Sequence, residues 1–319
     1  MTANTLAPGA NQDSRPAGAD PRLHRRRSKS RPGGAVAWVF ALPALVVYAL
    51  FLVYPALSSL WFSFTDWDGL SPTYNVVGID NYRKMPSDPV VVQAALNNLI
   101  WAVVTIVFPV VIGLVLAVLL NGKVRGKPFL RLIFYTPAVL PLVSVASIWG
   151  WLYNPQSGAI NVFLRDIGLG SLANAWLGQD STALAAVMVP AIWLRVGFPM
   201  LLYLAALQGI SHDQYEAATM DGATRSQQFW HITMPNLKPA HYIVLALSLI
   251  DSFKVFDMVY AMTYGGPGTA TQVMGTWMYA NVFQYYQAGY GTAIAVVITG
   301  VAIAVSIPYV LSQTKEHDS

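Results

Sequence analysis

Residues 208–235 read Gln208-Gly-Ile-Ser-His-Asp-Gln-Tyr-Glu216-Ala-Ala-Thr-Met-Asp221-Gly222-Ala-Thr-Arg-Ser-Gln-Gln-Phe229-Trp230-His-Ile232-Thr-Met234-Pro235. The stretch is too polar to cross a membrane and too patterned for a slack linker. Ser211 followed by Gln214 has the spacing of a capping box that opens a short helix. Gly222 is placed to end that helix in a left-handed cap, which glycine adopts without steric cost. Thr224 and Gln227 repeat the box for a second helix, and Pro235 limits how far that helix runs. The predicted product is helix, sharp glycine turn, helix. Ala217 and Ala218 keep one face small enough for a close approach, while Phe229, Trp230 and Ile232 supply apolar anchors. Two settings fit such a hairpin: the cleft of a partner protein, or the surface of its own bundle at a membrane interface. The residues alone do not choose between them.

The flanks decide what kind of molecule carries this hairpin. Of 319 residues, 55% are hydrophobic and only 11% charged, against roughly 25% charged in soluble domains. A soluble fold of this size could not hide so much apolar surface, so lipid is the expected solvent. A bilayer core takes about 20 apolar residues in helix. Six segments satisfy that: 35–55, 99–120, 129–152, 183–207, 239–262 and 292–311. The predicted fold is therefore an all-α integral membrane protein of six transmembrane helices. Pro137, Pro141, Pro190 and Pro199 fall inside spans and are read as kinks, which neighbouring helices accommodate. There is no cysteine, so disulfides, thiolate metal sites and cysteine nucleophiles are excluded.

Lys and Arg set the orientation. Residues 1–34 form a basic segment, expected to be disordered, with Arg25, Arg26, Arg27, Lys29 and Arg31 clustered before the first apolar run. That run continues to about Tyr54, long enough for an uncleaved anchor rather than a signal peptide. With six spans, this tail, the 121–128 loop (Lys123, Arg125, Lys127), the 208–238 loop (Arg225, Lys238) and the 312–319 tail (Lys315) share one side. The opposite side holds Arg83, Lys84 and Arg165 alone. Positive residues mark the cytoplasm, so both termini and the hairpin are predicted to be cytoplasmic, in a cell-membrane protein. The net charge of +4 belongs to this topology, and no nucleic-acid partner is implied.

Glu216-Ala217-Ala218, then Gly222, Ile232 and Pro235, resembles the EAA loop of ABC importer permeases. Met234 departs from the leucine common before the final proline, a nearly volume-conserving exchange. Leu204–Ile210, Asp221–Ala223, Val77–Tyr82, Phe253–Asp257 and Thr263–Gly268 are similar to the carbohydrate-uptake branch, of the maltose and glycerol-phosphate type. The resemblance covers most of 35–311. It implies a non-catalytic permease forming half of a pathway for a sugar or oligosaccharide delivered by an extracytoplasmic binding protein. It also implies a second, homologous permease and a cytoplasmic ATPase dimer that uses ATP and Mg, none of it bound by this chain. Glu216, Ala217, Ala218, Asp221, Gly222, Ile232 and Pro235 are the implied ATPase-coupling residues. In agreement, the chain has no phosphate-binding Gly-x-x-x-x-Gly-Lys-Ser/Thr loop and no cofactor or metal motif.

Charges inside predicted spans are expensive and default to function. Arg195 lies mid-segment. Asp251, Lys254 and Asp257 recur every third residue of the fifth span, along one side of a continuous helix. Two readings stand together: Lys254 pairs with Asp251 or Asp257 to hold the bundle, or the cluster lines a polar path with Trp101, Phe253 and Phe256 offering faces to sugars. Gly265-Gly266-Pro267-Gly268 fits a tight turn or a docking point for the binding protein. A secondary transporter would need its own coupling-ion site and usually internal repeats, and leaves the hairpin unexplained. An intramembrane enzyme would need a catalytic motif that the sequence lacks.

Overall fold

The computed structural model describes residues 34–122 and 124–317, with side chains from 38 to 308. The expected disordered tail 1–34 lies almost wholly outside them, and so does Lys123. The chain divides after Tyr54.

The first unit contributes α1, Gly34–Tyr48, and a π-helical turn, Ala49–Val53. No side chain between Trp38 and Tyr54 is buried; Phe40 and Phe51 are the most open of its large apolar groups. An apolar helix with its side chains this open needs lipid or another protein surface as its solvent.

The second unit is helical among its described residues, apart from an isolated bridge between Thr65 and Val76. After α2 (Tyr54–Phe62) and the short α3 (Asp80–Lys84), the long α4 runs from Pro89 to Asn121. Asp88 caps it: one carboxylate oxygen accepts from the amides of Val90 and Val91, and the other from Tyr290 Oη at 2.9 Å and Trp277 Nε1 at 3.3 Å. Helix α4 is the hub. It contributes Trp101 to one buried cluster, Val110, Ala117 and Leu120 to a second, and Val91 and Ala94 to a third.

α5 (Lys127–Tyr135) and α6 (Leu142–Leu152) bend by 102° about Pro137–Pro141. The proline kink is thus real, but the third predicted span is a sharply bent pair rather than a rod. α7 (Ala159–Asp166) precedes α8 (Asp180–Arg195) and α9 (Gly197–Gln208), which together make one 29-residue span. Gly113 lets α4 and α9 touch: a β-carbon there would sit 2.7 Å from Pro199 Cβ and 2.9 Å from the Met200 amide nitrogen.

α10 (His212–Met220), α11 (Arg225–Gln228), a π-turn and α12 (Met234–Asn236) form the polar segment. α13 (Lys238–Phe253) and α14 (Asp257–Thr263) follow, then α15 (Met274–Phe283) and α16 (Ala288–His317). α16 runs six residues past the predicted end of the last span.

Among the described residues, four helices are long and apolar enough to cross a membrane: Trp38–Phe62, Pro89–Asn121, Asp180–Gln208 and Ala288–Pro308; the bent pair would make a fifth. The prediction of six continuous spans is corrected at 239–262. There α13 stops after 16 residues, about 24 Å at 1.5 Å per residue, short of the ~30 Å hydrocarbon core.

Candidate functional site

The 208–238 segment folds as two braced limbs. Ser211 Oγ accepts from the Asp213 amide at 3.3 Å and opens α10. The predicted capping partner, Gln214, does not close back on Ser211; its Oε1 instead accepts from Asn236 Nδ2 across the hairpin at 3.2 Å. At the far end Gly222 has φ +79°. The Ala223 amide donates to Ala218 O and the Gly222 amide to Thr219 O, the paired bonds of a Schellman stop. Thr224 and Gln227 then form a full capping box: the Thr224 amide donates to Gln227 Oε1 at 2.8 Å, and the Gln227 amide to Thr224 Oγ1 at 3.4 Å. Tyr215 Oη to Thr233 Oγ1 at 2.9 Å and Gln228 Nε2 to Thr219 Oγ1 at 3.0 Å cross-link the limbs. Local caps set the turn, and side-chain ties brace its two limbs.

Ala218, Asp221, Gly222 and Ile232 line a groove of about 300 Å3, with Ala223, Gln227, Gln228 and His231 completing it. Glu216 and Ala217 lie on the exposed face of α10, and Pro235 is exposed at the start of α12. Among the described residues Glu216 pairs with His212, 3.4 Å away and still more open. Trp230 is 61% exposed and Met220 84%. Met220, Gln228 and His231 were not singled out from the sequence; Met220 had a legible signal, being a large apolar residue beside the glycine stop.

The second set of candidates surrounds the break between α13 and α14. Lys254 ends the helix at φ −89°, ψ 17°, and Phe256 turns the chain at φ −152°, ψ −61°. Asp251, Lys254 and Asp257 are exposed but share no continuous helical face, so the stripe inferred from three-residue spacing is corrected. No ion pair within 4 Å joins them among the described residues. Asp251 instead acts electrostatically on half-buried Arg195, whose Nη1 reaches Ala191 O at 3.5 Å. Phe253 and Phe256 are half-buried beside the break. Trp101 is corrected as a path liner: it is 1% exposed, packed in the cluster that holds Val255, Met258 and Val259.

Sequence reasoning also missed the polar anchors of the 264–273 turn. Asn97 Nδ2 donates to Ala270 O and Gln272 O at 2.9 and 2.7 Å, and Asn98 Oδ1 accepts from the Met274 amide at 2.8 Å. Two adjacent asparagines opening an apolar run were the available signal. Gly265–Gly268 forms the tight turn anticipated, closed by Thr271 Oγ1 to Gly266 O at 2.7 Å.

The profile of the binding-protein-dependent transport system inner membrane component family matches residues 109–314. A probable ABC transporter permease protein of Bacillus subtilis, YurN, is 38% identical over 85% of this chain and 94% of its own. The multiple sugar-binding transport system permease protein MsmF of Streptococcus mutans is 33% identical over 82% and 89%. A bacterial ABC transporter involved in import of the acidic polysaccharide alginate has a chain that superposes with a TM-score of 0.77 at 23% identity, covering 88% of this chain and 96% of that one; this likeness speaks to the fold. Family profile and full-length relatives together place the chain: it belongs to the binding-protein-dependent transport system inner membrane components, the multi-pass permeases of ABC transporters.

Proposed function

We propose that this chain is one half of the translocation pathway of an ATP-driven carbohydrate importer, with the 208–238 hairpin as its coupling element. The carrying observation is the braced hairpin around left-handed Gly222. A rigid peg transmits a push from a moving partner, which a flexible loop would absorb. Relatives named for sugar uptake, MsmF among them, support the carbohydrate class. The lysine and arginine distribution supports cytoplasmic termini and a cytoplasmic hairpin. Glu216 and Asp221 offer charge to a basic cleft, and Trp230 and Met220 offer apolar anchors. ATP and Mg belong to an ATPase dimer, and a homologous permease supplies the other half of the path.

Within this reading Asp251, Lys254, Asp257, Arg195 and Phe253 form the polar stretch of the path. Non-helical backbone at membrane depth is tolerated where protein or a water-filled cavity covers it, and transporter sites favour interrupted helices. The test is reconstitution in vesicles with and without the ATPase and the binding protein. Saccharide uptake and ATP hydrolysis are expected only from the complete assembly; uptake by a homodimer of this chain would overturn the two-permease claim. Lys254→Met is expected to leave the amount of assembled complex unchanged and to lower substrate-stimulated ATPase. Loss of complex, restored by adding Asp257→Asn, would instead mark a structural pair.

A further inference from the structure

Five rings, on α14 with its two capping residues and on α15, form one connected ladder. Phe256 stacks on Tyr260 with centroids 5.0 Å apart at 17°. Tyr279 meets Phe256 at 5.5 Å, Tyr260 at 5.0 Å and Phe283 at 4.8 Å. Tyr264 meets Tyr260 edge-on at 4.8 Å. One end of the ladder is Phe256, a residue of the break itself; the other is Tyr264 and Phe283, 68% and 61% exposed. Tyr264 caps α14 at φ +54°, a left-handed position that glycine ordinarily fills. A side chain held in such a conformation points to a use for that side chain.

We propose, on the carbohydrate reading above, that this ladder is a stacking track along which sugar rings pass between the exposed rings and the break. Core packing does not account for it, since no ring of the five is buried. A lipid-facing aromatic belt does not suit it either: Lys254 and Asp257 flank Phe256 and are exposed, and such charges face protein or water rather than lipid. Aromatic faces take the C–H faces of pyranoses, while the hydroxyls of Tyr260, Tyr264 and Tyr279 can exchange hydrogen bonds with sugar hydroxyls. Stacking of this kind tolerates changes of sugar identity, because each ring offers a similar face. It also adds contacts as the saccharide lengthens.

The test uses the complete transporter, this chain with its partner permease, ATPase and binding protein, in proteoliposomes. Radiolabelled glucose, maltose, maltotriose and diacetylchitobiose are the probes, with glycerol 3-phosphate as the non-saccharide control. Tyr279→Ala and Phe283→Ala are each expected to lower uptake efficiency about two- to tenfold, the scale of one aromatic contact. The loss should be greater for the longest saccharide transported than for the shortest, with the amount of assembled complex unchanged. Tyr260→Phe, which keeps the ring, should lose far less than Tyr260→Ala. Saccharide uptake that ignores Phe283→Ala and Tyr279→Ala overturns the track while leaving the importer reading intact. So does a loss that follows only the amount of assembled complex. Wild-type uptake of glycerol 3-phosphate with none of the four saccharides overturns the carbohydrate reading, and the track with it.

Discussion

At the tip of the hairpin, Gly222 takes φ +79° and Thr224 closes a reciprocal box with Gln227. Some thirty residues on, the chain between α13 and α14 turns as sharply through Lys254, Val255 and Phe256, with no glycine, no proline and no side-chain cap. The first turn is made from within: each residue that the geometry needs is present at the turn. The second is imposed from outside. Val255 is 5% exposed in the cluster shared with Trp101, Val145 and Val187, and its carbonyl faces Gly275, where a β-carbon would come within 2.8 Å. A break held by tertiary contacts carries no local signature, and its cause lies twenty residues away in sequence.

The comparison is broken most forcefully at Gly222. Space does not protect this glycine, for nothing lies within 4 Å of a β-carbon built there; only the positive φ does. Gly222→Val forces a β-branched residue into the left-handed region at a cost of about 1–3 kcal/mol. Coupled uptake is expected to fall about tenfold or more while the complex still assembles. Gly222→Asn should recover most of the activity, since asparagine tolerates that region. Normal transport by the valine variant, measured as saccharide uptake per ATP hydrolysed, would remove the turn from coupling.

Gly275 tests the other half of the contrast. Its conformation is ordinary, and what it supplies is room against the Val255 carbonyl. Gly275→Val is expected to destabilise the solubilised protein by about 1–3 kcal/mol through overpacking, read as a lower melting midpoint. Gly275→Ala already sets its methyl 2.8 Å from the Val255 carbonyl oxygen, so it should destabilise as well, though less than the bulkier valine. If Gly275→Val melts like the wild type, the break is held by something other than this contact.

The same contrast explains what the sequence disclosed. The membrane class, the long apolar helices and the hairpin were legible because each rests on composition or on residues two to four positions apart. Thr224 with Gln227 and Gly222 belong to this group. The break in the fifth predicted span is not legible because an apolar run over 239–262 describes burial, and the break buries Val255 as well as a helix would. Asp251, Lys254 and Asp257 were assigned one face on the same assumption. The sequence does not tell Trp101 the core residue from Trp101 the liner, because an aromatic in a span looks alike on either side of a helix; which side faces α8 and α14 is decided by packing.

The smallest effect is expected at Thr224, and its size says which element holds the hairpin. Replacing an N-cap threonine by alanine costs about 1 kcal/mol where the cap accepts a well-formed bond. Here the Gln227 amide lies 3.4 Å from Thr224 Oγ1, a long bond, whereas the return bond from the Thr224 amide to Gln227 Oε1 is 2.8 Å. The return bond needs the glutamine side chain and only the backbone of residue 224. Thr224→Ala gives up the hydroxyl's 3.0 Å bond to Gln227 Oε1 but keeps the shorter backbone donor to the same oxygen, whereas Gln227→Ala loses both. The threonine variant should therefore lose less than Gln227→Ala, and both should lose less than Gly222→Val. Hydrogen exchange of the 224–228 amides gives the order directly, and a double-mutant cycle gives the coupling between the pair. Faster exchange in Thr224→Ala than in Gly222→Val would mean that the box holds the turn and that the glycine merely permits it.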